Sequence, residues 1–312
     1  MEKLAPTFTL DLQERMPLDV VVIRNHGCTA PHSHRFSELV IVRQGTATHV
    51  SPGGEYPIGA GDVFVLHGDQ VHGYRDSKSL ELVNILFRMD ELRLTLQDIE
   101  TVSGYHMLFA LEPAFRDRDR FESRLRLSPE QREIVDTRLR QLIGEREMEA
   151  PGWRFAMIAQ FMLIVCDLCR FYSELETPLA QPLMRMGDVV SYIHQHLSDQ
   201  ITIDDLARIG CMSRRTLTRE FTRVTGHAPI EYLIRERVKR AREMLLSTDR
   251  SVTEVAYAVG FQDSNYFSRK FRETMGVSPR AVRLGERESG QGIVMRSPVI
   301  RTVMVTDAHD RP

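Results

Sequence analysis

The amino-acid sequence predicts an α+β protein of two domains: an antiparallel β domain carrying a helical hairpin, then an all-α domain made of two helix-turn-helix units. Three observations predict this. Short apolar or alternating runs separated by glycine turns fill residues 20–87, a helical period takes over at Ser128, and two segments after Met186 repeat each other. At 312 residues, with 42% hydrophobic and 27% charged side chains, the chain can bury two separate cores.

The β domain is placed at residues 1–127. The runs LVIV (Leu39 to Val42) and DVFVL (Asp62 to Leu66) lie between turn clusters at Gln44-Gly45, Pro52-Gly53-Gly54 and Gly59-Ala60-Gly61. Strands spaced this closely suggest an antiparallel sandwich or barrel. From Glu91 to Leu127 the pattern is mixed and defines no element. The stretch PHSHRFSELV holds His32, His34 and Glu38, which share parity and so point to one face of a strand. His72 is expected from a neighbouring strand. Three imidazoles and a carboxylate suit a divalent Zn, Fe, Mn or Ni ion. They equally suit a metal-free pocket that hydrogen-bonds the hydroxyls of a small polyol, or a set of structurally satisfied side chains.

At Ser128-Pro129-Glu130-Gln131 a serine cap, a proline at the first helical position and a glutamine that completes the box start a helix running to about Glu147. Pro151-Gly152 separates it from a second helix ending near Tyr172, so residues 128–176 form a helical hairpin, its apolar second member serving as core or as a dimer interface. The most apolar segment (Phe155 to Cys169) is broken by Gln160 and Asp167. It falls short of the ~20 residues of a membrane span, so no membrane partner is expected. Cys166 and Cys169 read as buried apolar side chains, and four scattered cysteines with no signal peptide point to a reduced, cytoplasmic protein. Pro178 and Pro182 mark residues 177–185 as a linker.

Residues 186–285 form the all-α domain. TIDDLARIGCMSRRTLTREFTRVTGHAP and SVTEVAYAVGFQDSNYFSRKFRETMGVSP pair Leu217, Phe221, Gly226 and Pro229 with Phe267, Phe271, Gly276 and Pro279. Upstream, Ala207 pairs with Ala256, leaving the second turn one residue longer. Thr202 with Asp205, and Ser251 with Glu254, open the copies as capping boxes. Burying the i, i+4 pairs turns Arg214, Arg215, Thr218, Arg219 and Arg223 outward in the first copy, and Ser264, Asn265, Tyr266, Arg269 and Arg272 in the second. Arginine matches guanine edges and phosphates, and asparagine matches adenine. From Arg185 to Arg287 there are 18 Lys+Arg against 13 Asp+Glu, a basic balance that suits a polyanion. The connector Pro229 to Leu246 is one amphipathic helix, about 27 Å long, able to set two recognition helices roughly one turn of DNA apart.

The pattern Pro229, Tyr232, Arg237, Ala241, Leu245, Leu246, then Ala256, Gly260, Phe261, Ser264, Tyr266, Phe267, Phe271, Gly276, Pro279 resembles the AraC/XylS family of bacterial transcription regulators over about a hundred residues. The resemblance implies base contacts by Arg215, Thr218 and Arg219 and by Ser264, Asn265, Tyr266 and Arg269, with Arg214 alongside, on double-stranded DNA. It also implies contact with RNA polymerase and a homodimer. The histidine stretch resembles the cupin metal signature of antiparallel jelly rolls, with one residue missing before His32 and with His67 and Asp69 in place of the usual proline and glycine. FSELVIV, the later GDVF and Asn84-Ile85 look most like the rhamnose-responsive members of the family. These resemblances imply a regulator, not an enzyme, with an effector site at His32, His34, Glu38 and His72, a divalent metal as its one candidate cofactor, and a sugar-responsive activation of a catabolic operon. A regulator with a non-sugar effector or none is the alternative, and a metal-dependent cupin enzyme the more distant one. Residues 286–312 alternate like a strand beyond the last expected helix, and no role is assigned to them.

Overall fold

The structure, a computed structural model, describes residues 16–68, 70–89, 91–92, 98–113, 125–175 and 181–285; the tail at 286–312 lies outside the described residues. Strands β1 (Leu18–Ile23), β2 (Thr29–His32), β3 (Ser37–Ser51), β4 (Gly54–Gly59), β5 (Asp62–Leu66), β6 (His72–Phe87) and β7 (Leu125–Arg126) form one antiparallel sheet. The order is β1-β6-β3-β5-β7, with β2 on β6 and β4 on β3. The two long strands β3 and β6 are the spine, and their register shifts between Val42 and Thr48 are bulges that bend the ribbon. As a result Val40, Val42, Phe64 and Leu82 pack in one cluster with Ala47, Tyr56, Ile58 and Tyr74 from the far end of the same ribbon. That cluster is the interior of the β domain.

The pleat sends the alternate residues the other way. Leu39, Ile41, Val63, Val65, Val83 and Ile85 join a core shared with helices. Those helices include α1 (Ser103–His106), which runs on into a π-helical turn at Met107–Leu111 after a 3-10 turn at Ile99–Thr101. The hairpin is α2 (Pro129–Met148) and α3 (Trp153–Ser173), close to the expected limits. Its cap forms as read: Ser128 Oγ accepts from Gln131 N, and the Gln131 side chain accepts from Ser128 N. Arg43 ties the sheet to the hairpin through Asp136 at 3.0 Å.

Helix α4 (Gln181–Gln195) begins inside the stretch expected to be a linker, 177–185. Pro182 does not oppose this, because the first turn of a helix has no internal acceptor for its N–H. Then follow α5 (Ile203–Ile209), α6 (Arg214–Thr225), α7 (Pro229–Ser247), α8 (Val252–Ala258), α9 (Ser264–Met275) and α10 (Pro279–Arg283). Both expected capping boxes are present, at Thr202 with Asp205 and at Ser251 with Glu254. Leu217, Phe221, Phe267 and Phe271 are fully buried. Helices α6 and α9 both end at a left-handed glycine, Gly226 and Gly276, each with φ 77°, the conformation that closes a helix without a Cβ clash.

The two copies are anchored differently. Leu206, Leu217, Phe221 and Tyr232 of the first belong to the same continuous core as the sheet and the hairpin. The second has a core of its own, built from Val238, Ala241, Leu245, Val255, Phe267 and Phe271. Glycines permit the close packing around α1: a Cβ on Gly104 would stand 1.9 Å from the Cys169 carbonyl oxygen, and one on Gly187 would stand 3.0 Å from the Met107 side chain. Helix α1 is therefore held between α3 on one side and α4 on the other.

Candidate functional site

The β-domain site forms where β2 meets β6, with His32 opposite His72 in register. The expected single strand through His32, His34 and Glu38 is a correction: β2 ends at His32, the chain bends at Arg35-Phe36, and β3 starts at Ser37. The bend, and not the pleat, brings His34 to Glu38. His34, Glu38 and His72 are buried, and their ligand atoms all lie within 4.8 Å of one another. His34 Nε2 is 3.4 Å and His72 Nε2 is 3.6 Å from Glu38 Oε2. His32 stands at the rim, half-buried, its ring 4.4 Å from that of His72.

All three imidazoles donate Nδ1–H to a backbone carbonyl: His32 to Ala30 at 3.1 Å, His34 to Phe36 at 2.7 Å and His72 to Gln70 at 3.1 Å. In the neutral ring this makes Nε2 an acceptor. Burial pushes His72 down to about 4, against the pull of the Glu38 charge, so it is neutral at neutral pH and its contact with Glu38 is not an ion pair. Burial opposes the ionisation of Glu38, yet the hydrogen bond and charge that His34 offers when its ring is protonated, with the charges of protonated His72 and His32, pull its carboxyl below the usual range. Asn84 Nδ2 donates to Glu38 Oε1 at 2.8 Å, which leaves Oε2 for the cluster. Acceptors thus converge on one point. What completes them is a cation or a set of hydroxyl protons, and this donor set fits a divalent transition metal, with backbone carbonyls orienting the imidazoles.

Two further polar groups were not singled out in the sequence as site residues. Asn84 interrupts the apolar run LVNILF, a signal that was available; its Oδ1 is buried with no hydrogen-bond partner among the described residues. His49 is fully buried with its ring parallel to that of His72 at 6.1 Å, and in the sequence it looks like any polar residue of an alternating strand.

On the all-α domain Arg214, Arg215 and Arg219 are exposed along α6, with Thr218 half-buried between them. Arg214 pairs with Asp204 of α5, and Arg219 pairs with the adjacent Glu220 at 2.8 Å. Arg215 has no partner among the described residues. On α9, Asn265, Tyr266 and Arg269 are exposed and Ser264 is half-buried, and the Arg269 guanidinium lies 5.2 Å over the Tyr266 ring. Ser213 and Asp263 cap the two helices, their side chains accepting from Thr216 N and Tyr266 N. Exposed ion pairs of this kind are worth ~0–1 kcal/mol and exchange readily for phosphate or base edges.

A metal-type acceptor cluster in a β domain, packed on a tandem helix-turn-helix with two arginine-bearing faces, defines a ligand-sensing DNA-binding regulator. Residues 20–156 match the AraC-like ligand binding domain, and residues 206–285 match a helix-turn-helix domain family. The chain is 30% identical over 254 residues to the HTH-type transcriptional activator RhaS of Escherichia coli O6:H1, covering 81% of this chain and 87% of that one. RhaS of Shigella sonnei matches with the same identity and coverage. This chain belongs to the AraC family of transcriptional regulators and is a DNA-binding regulator. Among solved structures, the DNA-binding domain of AdpA in complex with a target DNA is 38% identical, with a TM-score of 0.32, covering 34% of this chain and 98% of that one. An AraC-type regulator from Chromobacterium violaceum is 29% identical, with a TM-score of 0.32, covering 34% of this chain and 95% of that one.

Proposed function

We propose that this regulator is a sugar-responsive activator of a catabolic operon, with its effector site at His34, Glu38 and His72 and with His32 at the rim. The observation that carries this reading is the convergence of the His34 and His72 Nε2 atoms and a Glu38 carboxylate oxygen, all within 4.8 Å of one another. A polyol supplies hydroxyl protons to such a set directly. A divalent ion held by the same three residues would instead polarise the hydroxyls of a bound sugar. The name of the RhaS relatives, a transcriptional activator, supports the sign of regulation. The family resemblance supports contact with RNA polymerase and a cytoplasmic setting.

DNA contacts in this reading come from Arg214, Arg215, Thr218 and Arg219 on α6 and from Ser264, Asn265, Tyr266 and Arg269 on α9. The protein works as a homodimer through the hairpin. Phe155, Ala159 and Leu163 of α3 form an exposed stripe at i, i+4, i+8, with Phe155 79% and Leu163 41% exposed. Helix α3 also has the length and hydropathy of a membrane span, but its opposite face, through Met157, Phe161, Ile164 and Leu168, is spent on the protein core.

Titrating the full-length protein against a panel of pentoses and deoxyhexoses, with and without chelator, tests the effector reading by thermal shift. A ligand at 100 times its Kd stabilises by about 2.7 kcal/mol, so a true effector raises the melting temperature measurably. The shift disappears in Glu38→Gln. It survives chelation if the hydroxyls bind directly, and it is lost on chelation if a metal holds them. A panel without any shift, alongside a non-sugar that produces one, replaces the sugar by the alternative effector class.

A further inference from the structure

The two recognition helices do not carry the same charges at the same places. Counted from the matched pair Leu217 and Phe267, Arg219 of α6 stands where α9 has Arg269. The next position is Glu220 in α6 but Lys270 in α9, and Arg223 of α6 is answered by Glu273. The acid of the first unit therefore directly follows its central arginine, while in the second unit a lysine takes that place.

Glu220 lies on the flank of α6, and each of its carboxylate oxygens meets an arginine. Arg219 Nε–H donates to Oε1 at 2.8 Å, and Arg223 Nη2 stands 2.9 Å from Oε2. The Glu220 side chain is 23% exposed against 69% for Arg219, so the anion is the sheltered member of the pair and the guanidinium the outer one. A single exposed ion pair holds little, but a carboxylate shared by two arginines is a small network, the case in which such pairs keep their geometry.

The nitrogen used in this contact matters. A guanidinium reads guanine O6 and N7 with two of its nitrogens at once. Arg219 gives Glu220 only its Nε, and neither of its Nη atoms has a hydrogen-bond partner among the described residues. Its terminal fork is thus free while its stem is tethered. Arg214 is the contrast, because its Nε and Nη2 both go to Asp204 and it must give up that pair before it meets a base. In α9 the carboxylate of Glu273 is taken by Lys270 at 2.6 Å. Arg269 Nε is 4.0 Å from Glu273, beyond hydrogen-bond reach, and its guanidinium rests over the Tyr266 ring instead.

We infer that Glu220 is a positioning residue for DNA readout, which holds Arg219 by Nε and aims its terminal fork at a guanine, making the first reader unit the more stringent of the two. The inference rests on the reading of Arg219 as a base contact. An untethered arginine loses much rotamer freedom on binding, and tethering it beforehand lowers that cost. A fixed fork also cannot turn aside to satisfy a wrong base, so the mismatch is penalised. The Glu220 charge itself repels the phosphate backbone and weakens binding to every sequence alike. These two effects act oppositely on specific and non-specific binding, and a residue that merely stabilises α6 does not separate them.

Selection from a pool of random-sequence DNA duplexes, by the full-length protein and by Arg219→Ala, identifies the guanine whose preference depends on Arg219. Fluorescence anisotropy then compares the selected duplex, the same duplex with that G·C pair changed to A·T, and the unselected pool. The unaltered protein favours G·C by roughly tenfold or more. Glu220→Ala loses most of this preference and binds the unselected pool no more weakly than before. Glu220→Gln, which keeps an acceptor for Nε–H, retains part of the preference. Full preference in Glu220→Ala overturns the inference. An equal loss of affinity for the selected duplex and the pool overturns it too, by marking a structural role. In both of these cases, loss of the preference in Arg219→Ala leaves the assigned contact standing. A guanine preference that survives Arg219→Ala everywhere removes the contact itself, and the role of Glu220 with it.

Discussion

Single residues decide how the protein senses and reads. Arg219 and Arg269 stand at matched positions on α6 and α9, each exposed and near a carboxylate, the half-buried Glu220 at 2.8 Å and the exposed Glu273 at 4.0 Å. Replacing either by alanine is expected to weaken specific DNA binding by ~1–3 kcal/mol and to lower the salt dependence by roughly one phosphate equivalent where the contact is to backbone. Fluorescence anisotropy over a salt series reads both quantities, and unchanged binding in both variants removes these residues from the interface. At His106, burial and then the neighbouring His194 push the imidazole from 6.5 to about 3, against the pull of the Glu100 carbonyl and carboxylate. Between those values the unfolded chain holds a proton that the folded one excludes. Stability from this group is complete above the ordinary imidazole range and falls as pH drops below it, by up to ~1.4 kcal/mol per pH unit. Urea midpoints at about pH 7.5 and pH 5 measure this slope together with the like contribution of His72, and His106→Gln is expected to reduce it.

At the scale of elements, the helix starts were legible because capping is local chemistry. Ser128, Thr202 and Ser251 each bond three residues ahead, and nothing distant can change that spacing. The linker was misplaced for a related reason, since proline marks the start of a helix as well as a break. The stretch from Glu91 to Leu127 gave no pattern, and it holds α1 and its π-helical turn. Those elements are short and contact partners on several sides, so their apolar residues follow no single period. Helix α3 is the opposite case, apolar on more than its buried face. Arginine at Phe155 and Leu163 together is expected to convert the proposed dimer to monomer in sedimentation velocity without lowering the melting temperature, because neither side chain belongs to the core. A variant that remains dimeric places the interface elsewhere.

Across the whole molecule, the division of cores matters more than the division of domains. The sheet, the hairpin and the first reader unit form one apolar cluster, and the second unit forms another. Native-state hydrogen exchange is expected to show α4, α5 and α6 protected together with β3 and β6, while α8 and α9 open as a separate unit of lower stability. One common opening free energy for all of them would contradict this. In this arrangement the first unit packs on the sensor directly. The second is reached through α7, whose Arg237 Nε–H donates to the Leu197 carbonyl at 2.7 Å and whose guanidinium lies 5.9 Å from the Phe261 ring.

The sequence by itself determined the order of β domain, hairpin and tandem reader, the outward faces of α6 and α9, and three of the helix caps. Each of these follows from periodicity or from contacts only a few residues long. It also named the histidines and the glutamate of the sensor, but it assigned their convergence to a strand pleat. Tertiary structure decided the rest. The donation of Asn84 to Glu38 and the merging of the first reader unit with the sensor core join residues far apart in the chain. Contacts of that kind are set by packing and chain topology, which no local pattern of side chains encodes.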